Sequence, residues 1–227
     1  MLFRTTAGNK ENMDISLNNE KIELVRDVKF LGIHLDDLLN WKKELAHIDS
    51  TISSACFALR TLRDEINKDQ LKMVYYALVE SRLRYSIQFW GKSYGYNFQR
   101  AFILQKRAVR TIVRISQRES CRPHFQRLGI LTLPSLYILV LLVNFKKYVH
   151  EFESENERIA RESTRRKDFN SKIVPNLNVA KHSPQYQVVK LFNKLPADLK
   201  DSLYTSSFKA KLKEFLLARN LYTFDEL

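Results

Sequence analysis

The sequence predicts a mainly α-helical protein with a small N-terminal β piece (α+β), and three observations predict it. Glycine is scarce, 5 in 227 residues, which leaves few positions for tight hairpins, phosphate loops or dinucleotide fingerprints. From Trp41 onward apolar residues recur at three- and four-residue spacing, the period of a helix with one buried face. Before residue 38 they alternate with polar residues in short runs, the period of strands. At 44% hydrophobic and 11% aromatic the chain can bury a core, so it is neither a disordered basic tail nor a linker.

Taken in order, Leu2 to Arg4 reads as the end of a strand. Ile15-Ser16-Leu17 and Ile22-Glu23-Leu24 flank Asn18-Asn19, a hairpin signal, because asparagine tolerates the positive φ that a tight turn requires. Val28 to Leu35 is a third β-like run. A β piece this small must pack on something to be stable. Leu45, Ile48, Ile52, Ala55, Leu59, Leu62 and Ile66 then form one apolar stripe of a long first helix. Asp69 is a candidate N-cap for a second helix that is apolar on most sides and runs to about Trp90. Gly91 to Gly95 connects it to a third helix, capped by Asn97 and running to about Gln117. Pro123 and Gly129 to Pro134 punctuate the chain before a fourth helix from Pro134 to Phe152. Glu151 to Ser183 is polar and reads as a boundary or linker, and Tyr186 to Lys194 and Ser207 to Arg219 suit short helices. The expected division is a β remnant (1–37), a helical domain (38–150), a polar linker (151–185) and a helical tail (186–227).

Lys and Arg number 38 against 25 Asp and Glu, a formal charge of +13 that calls for an acidic partner, nucleic acid or an anionic membrane surface being the usual ones. The longest apolar run, Leu136 to Val143, is too short to span a bilayer, which takes about 20 residues. Two cysteines and no signal peptide suggest a reducing intracellular compartment, nucleus or cytoplasm.

More than half of the excess charge, +7, lies in residues 97 to 127. On a helix of 3.6 residues per turn, Arg100, Lys106, Arg107, Arg110, Arg114 and Arg118 share one third of the circumference. Apolar residues fill the opposite half, with Gln105 the only polar residue among them and Ile103 the only large apolar one on the basic side. Long cationic side chains often do no more than solvate the outer face of a core helix. Here no Asp or Glu compensates at i+4, and like charges at that spacing destabilise an isolated helix. A polyanion would relieve the repulsion and release its own counterions, so nucleic-acid backbone is the expected partner and a membrane is not.

Catalytic chemistry finds little support. Asp36-Asp37 resembles a polymerase metal pair, but Leu38-Leu39-Asn40-Trp41 leads into a helix rather than back along a second strand, and helix capping is the expected role. Cys121-Arg122-Pro123-His124 is half of a zinc-knuckle spacing without the other ligands, and no G-x-S-x-G is present. Neither a catalytic residue, a metal site nor a cofactor is expected in this chain.

Several blocks carry a family likeness. Val28 to Asp36 followed by Leu39-Asn40-Trp41-Lys42 resembles the segment after the polymerase palm in non-LTR (LINE-type, Jockey-like) retrotransposon reverse transcriptases. Tyr75 to Tyr85 with Trp90-Gly91, Leu104 to Arg110, Leu128 to Pro134, and Phe192 to Pro196 with Phe208-Lys209 look like later blocks of that family's C-terminal region, in order. The resemblance implies that Phe30, Leu31 and Gly32 are a primer grip and that the basic helix belongs to a thumb holding template and primer. It also implies partnership with palm and fingers portions and, in an intact member, Mg2+. The family's Phe/Tyr-x-Asp-Asp motif is not among these residues, and only the first of Asp36-Asp37 matches the family at that place. The expectation is a truncated copy, inactive alone, that grips nucleic acid without polymerising. The alternative is a helical protein-interaction module derived from such an element.

Overall fold

The computed structural model describes residues 1, 3, 15–92, 96–164, 167–169 and 178–227. The predicted strand end at Leu2 to Arg4 lies outside the described residues, since Leu2 and Arg4 are not among them. Two antiparallel hairpins come first. Strands β1 (Ser16–Leu17) and β2 (Glu20–Lys21) pair with Leu17 opposite Glu20, and Asn18 and Asn19 take φ of 52° and 65° between them, the turn their identity predicts. The run Val28 to Leu35 is a second hairpin rather than one strand. Here β3 (Asp27–Phe30) pairs with β4 (Ile33–Asp36), and Leu31 (φ 48°) and Gly32 (φ 81°) form its turn.

Asp36 governs the passage from strand to helix. One carboxylate oxygen accepts the N–H groups of Leu38 (3.2 Å) and Asn40 (3.0 Å), and the other that of Trp41 (2.9 Å). These donors precede the helix, so Asp36 orders the entry loop and does not cap the first turn. The residue before α1 (Lys42–Leu62) is Trp41, in the left-handed region with no side-chain cap. The predicted stripe of α1 is buried from Leu45 to Leu59, and Leu62 and Ile66 are partly buried at its edge.

The expected second helix, 69 to 90, is three pieces. Helix α2 (Lys68–Tyr75) is capped by Asn67 in place of Asp69. Asn67 accepts from the Gln70 N–H (2.9 Å) while the Gln70 side chain accepts from the Asn67 N–H (3.1 Å), a reciprocal capping box. A π-helical turn, Tyr76–Glu80, leads into α3 (Ser81–Arg84), and Ser86 at φ 55° breaks the chain before α4 (Ile87–Trp90). The break places Trp90 in the core, its indole N–H donating to the Tyr85 carbonyl at 3.0 Å.

Helix α5 (Tyr96–Val113) starts beside Asn97, whose side chain lies outside the described structure, so its capping role does too. Helix α6 (Arg122–Leu128) carries Pro123 in its first turn and ends at Gly129 (φ 65°). Helix α7 (Leu133–Tyr148), with Thr132 at its N-cap, is buried on nearly all sides, and a 3-10 turn continues to Glu151. It is the central helix. No single helix among the described residues is long and apolar enough to cross a membrane.

The polar stretch after residue 151 is more ordered than its composition predicts. It contains α8 (Glu155–Glu162), capped by Ser154, and the short α9 (Asn178–Lys181). Arg161, 7% exposed, meets both carboxylate oxygens of Glu153 at 2.9 Å and the Tyr204 hydroxyl at 2.8 Å. Phe169 packs edge-on against Phe145 and Phe192, each ring 5.0 Å away. These contacts tie the stretch to α7, to α10 (Pro184–Asn193) and to the turn at Tyr204 between α11 (Ala197–Asp201) and α12 (Phe208–Arg219). One continuous apolar cluster runs from Leu45 to Leu221, across the expected boundaries at 150 and 185.

Candidate nucleic-acid interface

Helix α5 sorts its side chains as its sequence predicts. Phe98, Ala101, Phe102, Leu104, Ala108, Val109 and Ile112 are buried, and Ile103 is exposed on the basic side. Gln105 is buried within the apolar face, its amide nitrogen donating to the Tyr75 hydroxyl and to the Leu131 carbonyl, both at 2.9 Å. The Tyr75 hydroxyl is held far above the ordinary tyrosine value by burial and by the Glu80 carboxylate, so it stays a neutral acceptor for that bond.

Four of the six expected cations, Arg100, Lys106, Arg107 and Arg110, lie on this helix; Arg114 and Arg118 do not. The helix ends at Val113, and Arg114 takes φ 58°, the left-handed C-terminal position that glycine or asparagine usually fills. Two contacts hold it there. Its guanidinium donates to the Arg63 carbonyl and lies 3.6 Å from Asp64. Beyond the turn Ile115 packs, partly buried, against the core. Arg118 therefore sits in the turn that follows, its backbone N–H on Ser116 Oγ.

The compensation that α5 lacks at i+4 arrives from other elements. Arg100 pairs with Asp49 of α1 at 2.5 Å, and Arg110 donates to the Glu119 carbonyl at 3.1 Å. Lys106 lays its stem across Phe102 and Tyr222, the ammonium 4.6 Å and 5.6 Å from the ring centres. Burial lowers its pKa below the ordinary lysine value, with Arg110 acting in the same direction and Cys121 against it. The guanidinium groups of Arg107 and Arg118 have no hydrogen-bond or ion-pair partner among the described residues. The cations left to meet an external anion are thus Arg107 and Arg118, with Lys106 and the unengaged nitrogens of Arg110 beside them.

The three grip-like residues form the tip of the β3–β4 hairpin. Phe30 is 59% and Leu31 75% exposed, and the Leu31 carbonyl accepts from the Tyr85 hydroxyl. At φ 81° Gly32 occupies backbone space that other residues rarely adopt. The tip is a fixed apolar knob held from beneath by Tyr85. Both cysteines are buried free thiols, and no group of three or more His, Cys, Asp or Glu positioned for a metal occurs among the described residues. His34 and His47, thirteen positions apart in sequence, meet edge to face at 5.6 Å, a neighbourhood that no local pattern signals.

Comparison of the chain with family models, with curated proteins and with solved structures finds no match. What the fold and surface define is a mainly helical protein with one amphipathic cationic helix and an exposed apolar hairpin.

Proposed function

We propose that this chain binds the phosphate backbone of a nucleic-acid duplex through α5, as the primer-grip and thumb region of a LINE-type reverse transcriptase would. The observation that carries the reading is the segregation of α5: a buried apolar face, and on the opposite side Lys106, Arg107 and Arg110 with Arg107 unpaired among the described residues. The ordered likeness of the blocks from Val28 to Lys209 supports the family assignment. In such an enzyme two divalent metals would drive nucleotidyl transfer. The residues of this chain would supply position: the cations of α5 against phosphates, and Phe30 and Leu31 against the sugar and base surface at a primer end.

Binding of a duplex measured across a salt series tests the reading. The log of affinity is expected to fall with log salt, and Arg107→Glu with Arg110→Glu to flatten the slope by about 2, at roughly 0.9 for each phosphate no longer neutralised. Affinity and slope unchanged in that variant would overturn the assignment. Metal-dependent nucleotide incorporation by the purified chain would overturn its reading as a grip without chemistry.

A second reading, a protein-interaction module, is favoured by the exposed apolar side chains of the hairpins and of the segment between them, among them Leu17, Ile22, Leu24, Phe30 and Leu31. It predicts a partner whose binding survives the α5 reversals and is abolished by Phe30→Ser with Leu31→Ser.

A further inference from the structure

A cavity of about 320 Å³ lies where the β3–β4 hairpin meets α1 and α3. Its wall brings together residues far apart in sequence: Lys29 from the hairpin, Glu44 and His47 from α1, Arg82 from α3, and Tyr85 just beyond it. The volume is at the small end of ligand pockets, about the size a mononucleotide fills.

The two cations of its wall differ from those beside it. Neighbouring cations are paired: Lys43 with Asp27 at 2.5 Å, and Arg84 with Glu80 at 2.7 Å. The side chains of Lys29 and Arg82 have no hydrogen-bond or ion-pair partner among the described residues, yet both residues line the same cavity. Two unpaired cations on one concave wall repel each other and favour an anion between them. The single carboxylate of the wall is Glu44, 3% exposed, with one oxygen accepting the His34 N–H at 2.8 Å. A bare phosphate would gain from the cations but meet repulsion from Glu44. A ligand that carries a hydroxyl as well as a phosphate satisfies both, since a carboxylate accepts readily from a sugar hydroxyl. His47 and Tyr85 add two flat rings, and the Tyr85 ring is fixed by its hydroxyl donating to the Leu31 carbonyl.

We propose that this cavity binds a ribonucleoside monophosphate unit. Its phosphate lies against Lys29 and Arg82, a ribose hydroxyl against Glu44, and its base against His47 and Tyr85. The unit is either a free nucleotide or the phosphate-bearing end of an RNA strand. The inference stands apart from the α5 reading, because none of these residues belongs to that helix.

Calorimetric titration of the full chain with AMP, deoxy-AMP, adenosine and inorganic phosphate tests it. AMP is expected to bind at least about tenfold more tightly than adenosine or phosphate, and more tightly than deoxy-AMP. Lys29→Gln and Arg82→Gln are each expected to weaken AMP affinity about tenfold, the effect of removing a charge-assisted hydrogen bond. Glu44→Gln keeps an oxygen for the His34 N–H and is expected to weaken AMP but not phosphate. Arg107→Glu with Arg110→Glu leaves AMP binding unchanged, so failure here and failure of the duplex reading are separable. Competition by an oligoribonucleotide with a terminal phosphate, at affinity equal to or above that of AMP, identifies a strand end; weaker competition identifies the free nucleotide. AMP binding no tighter than adenosine would overturn the proposal. So would undiminished AMP binding by Lys29→Gln, whose exposed hairpin position keeps that variant folded should Arg82→Gln unfold.

Discussion

Gly91 shows how one residue is dictated by a neighbour far away in sequence. A Cβ at this position would lie 2.4 Å from the Ile87 carbonyl and 2.4 Å from the Tyr137 ring, although its φ is ordinary. The constraint is space, not backbone conformation. Gly91→Ala is expected to cost about 1–3 kcal/mol through overpacking, read as a lowered midpoint in thermal denaturation. Tyr204 is constrained by charge instead. Burial and its hydrogen bond to Glu153 raise its phenol to about 12. The folded state therefore keeps this proton when the unfolded chain, with a phenol pKa near 10, has released it. Stability from this group is present below pH 10 and disappears as pH rises from 10 toward 12. Tyrosinate absorbance should show several late-titrating phenols, Tyr75 among them, of which Tyr204→Phe removes one, and the alkaline fall in stability should be shallower in that variant.

Among the elements, α8 departs furthest from its composition. Glu151 to Glu162 has few apolar residues and would be a solvated segment alone, but the Glu153–Arg161 pair anchors it, with side-chain exposures of 7% and 6%. Arg161 also stacks on Phe169 at 4.3 Å. Breaking a pair buried to this extent strands a charge, so Arg161→Met is expected to cost about 3–5 kcal/mol by urea denaturation. Adding Glu153→Gln to that variant should recover part of that stability, because the stranded carboxylate is then neutral. In α5 the pattern was legible down to the exposed Ile103, since the 3.6-residue period alone decides which side faces the core. Its end was not. Arg114 turns the chain where the Arg63 carbonyl and Asp64 meet its guanidinium, and neither is local.

For the whole molecule, one apolar cluster from Leu45 to Leu221 predicts one cooperative transition, with backbone and near-ultraviolet probes melting together. Two separated transitions would mean that the tail folds apart from the helical body. The last residues belong to that core. Tyr222 lies 5.0 Å from the Phe102 ring, and Phe224 lies 5.3 Å from both Phe98 and Tyr137. Ending the chain at Asn220 removes the buried Leu221 with these two partly buried rings and is expected to lower the midpoint by the equivalent of about 3 kcal/mol or more.

The sequence alone determined what depends on near neighbours: the Asn18-Asn19 hairpin, the stripe of α1, the apolar and basic faces of α5, and the prominence of α7 as the most apolar run. Each follows from a period or from a turn residue's intrinsic conformational range. Tertiary structure decided what depends on contact at a distance. It broke the expected second helix at Ser86, where Trp90 needed a place in the core. It turned a polar linker into a packed helix through one buried ion pair. It paired Arg100 with Asp49 and left the Arg107 guanidinium without a partner among the described residues, and it gathered Lys29, Glu44, His47 and Arg82 around one cavity. A local pattern records which face of an element is apolar, whereas the partner of a charge is set by whichever element packs beside it.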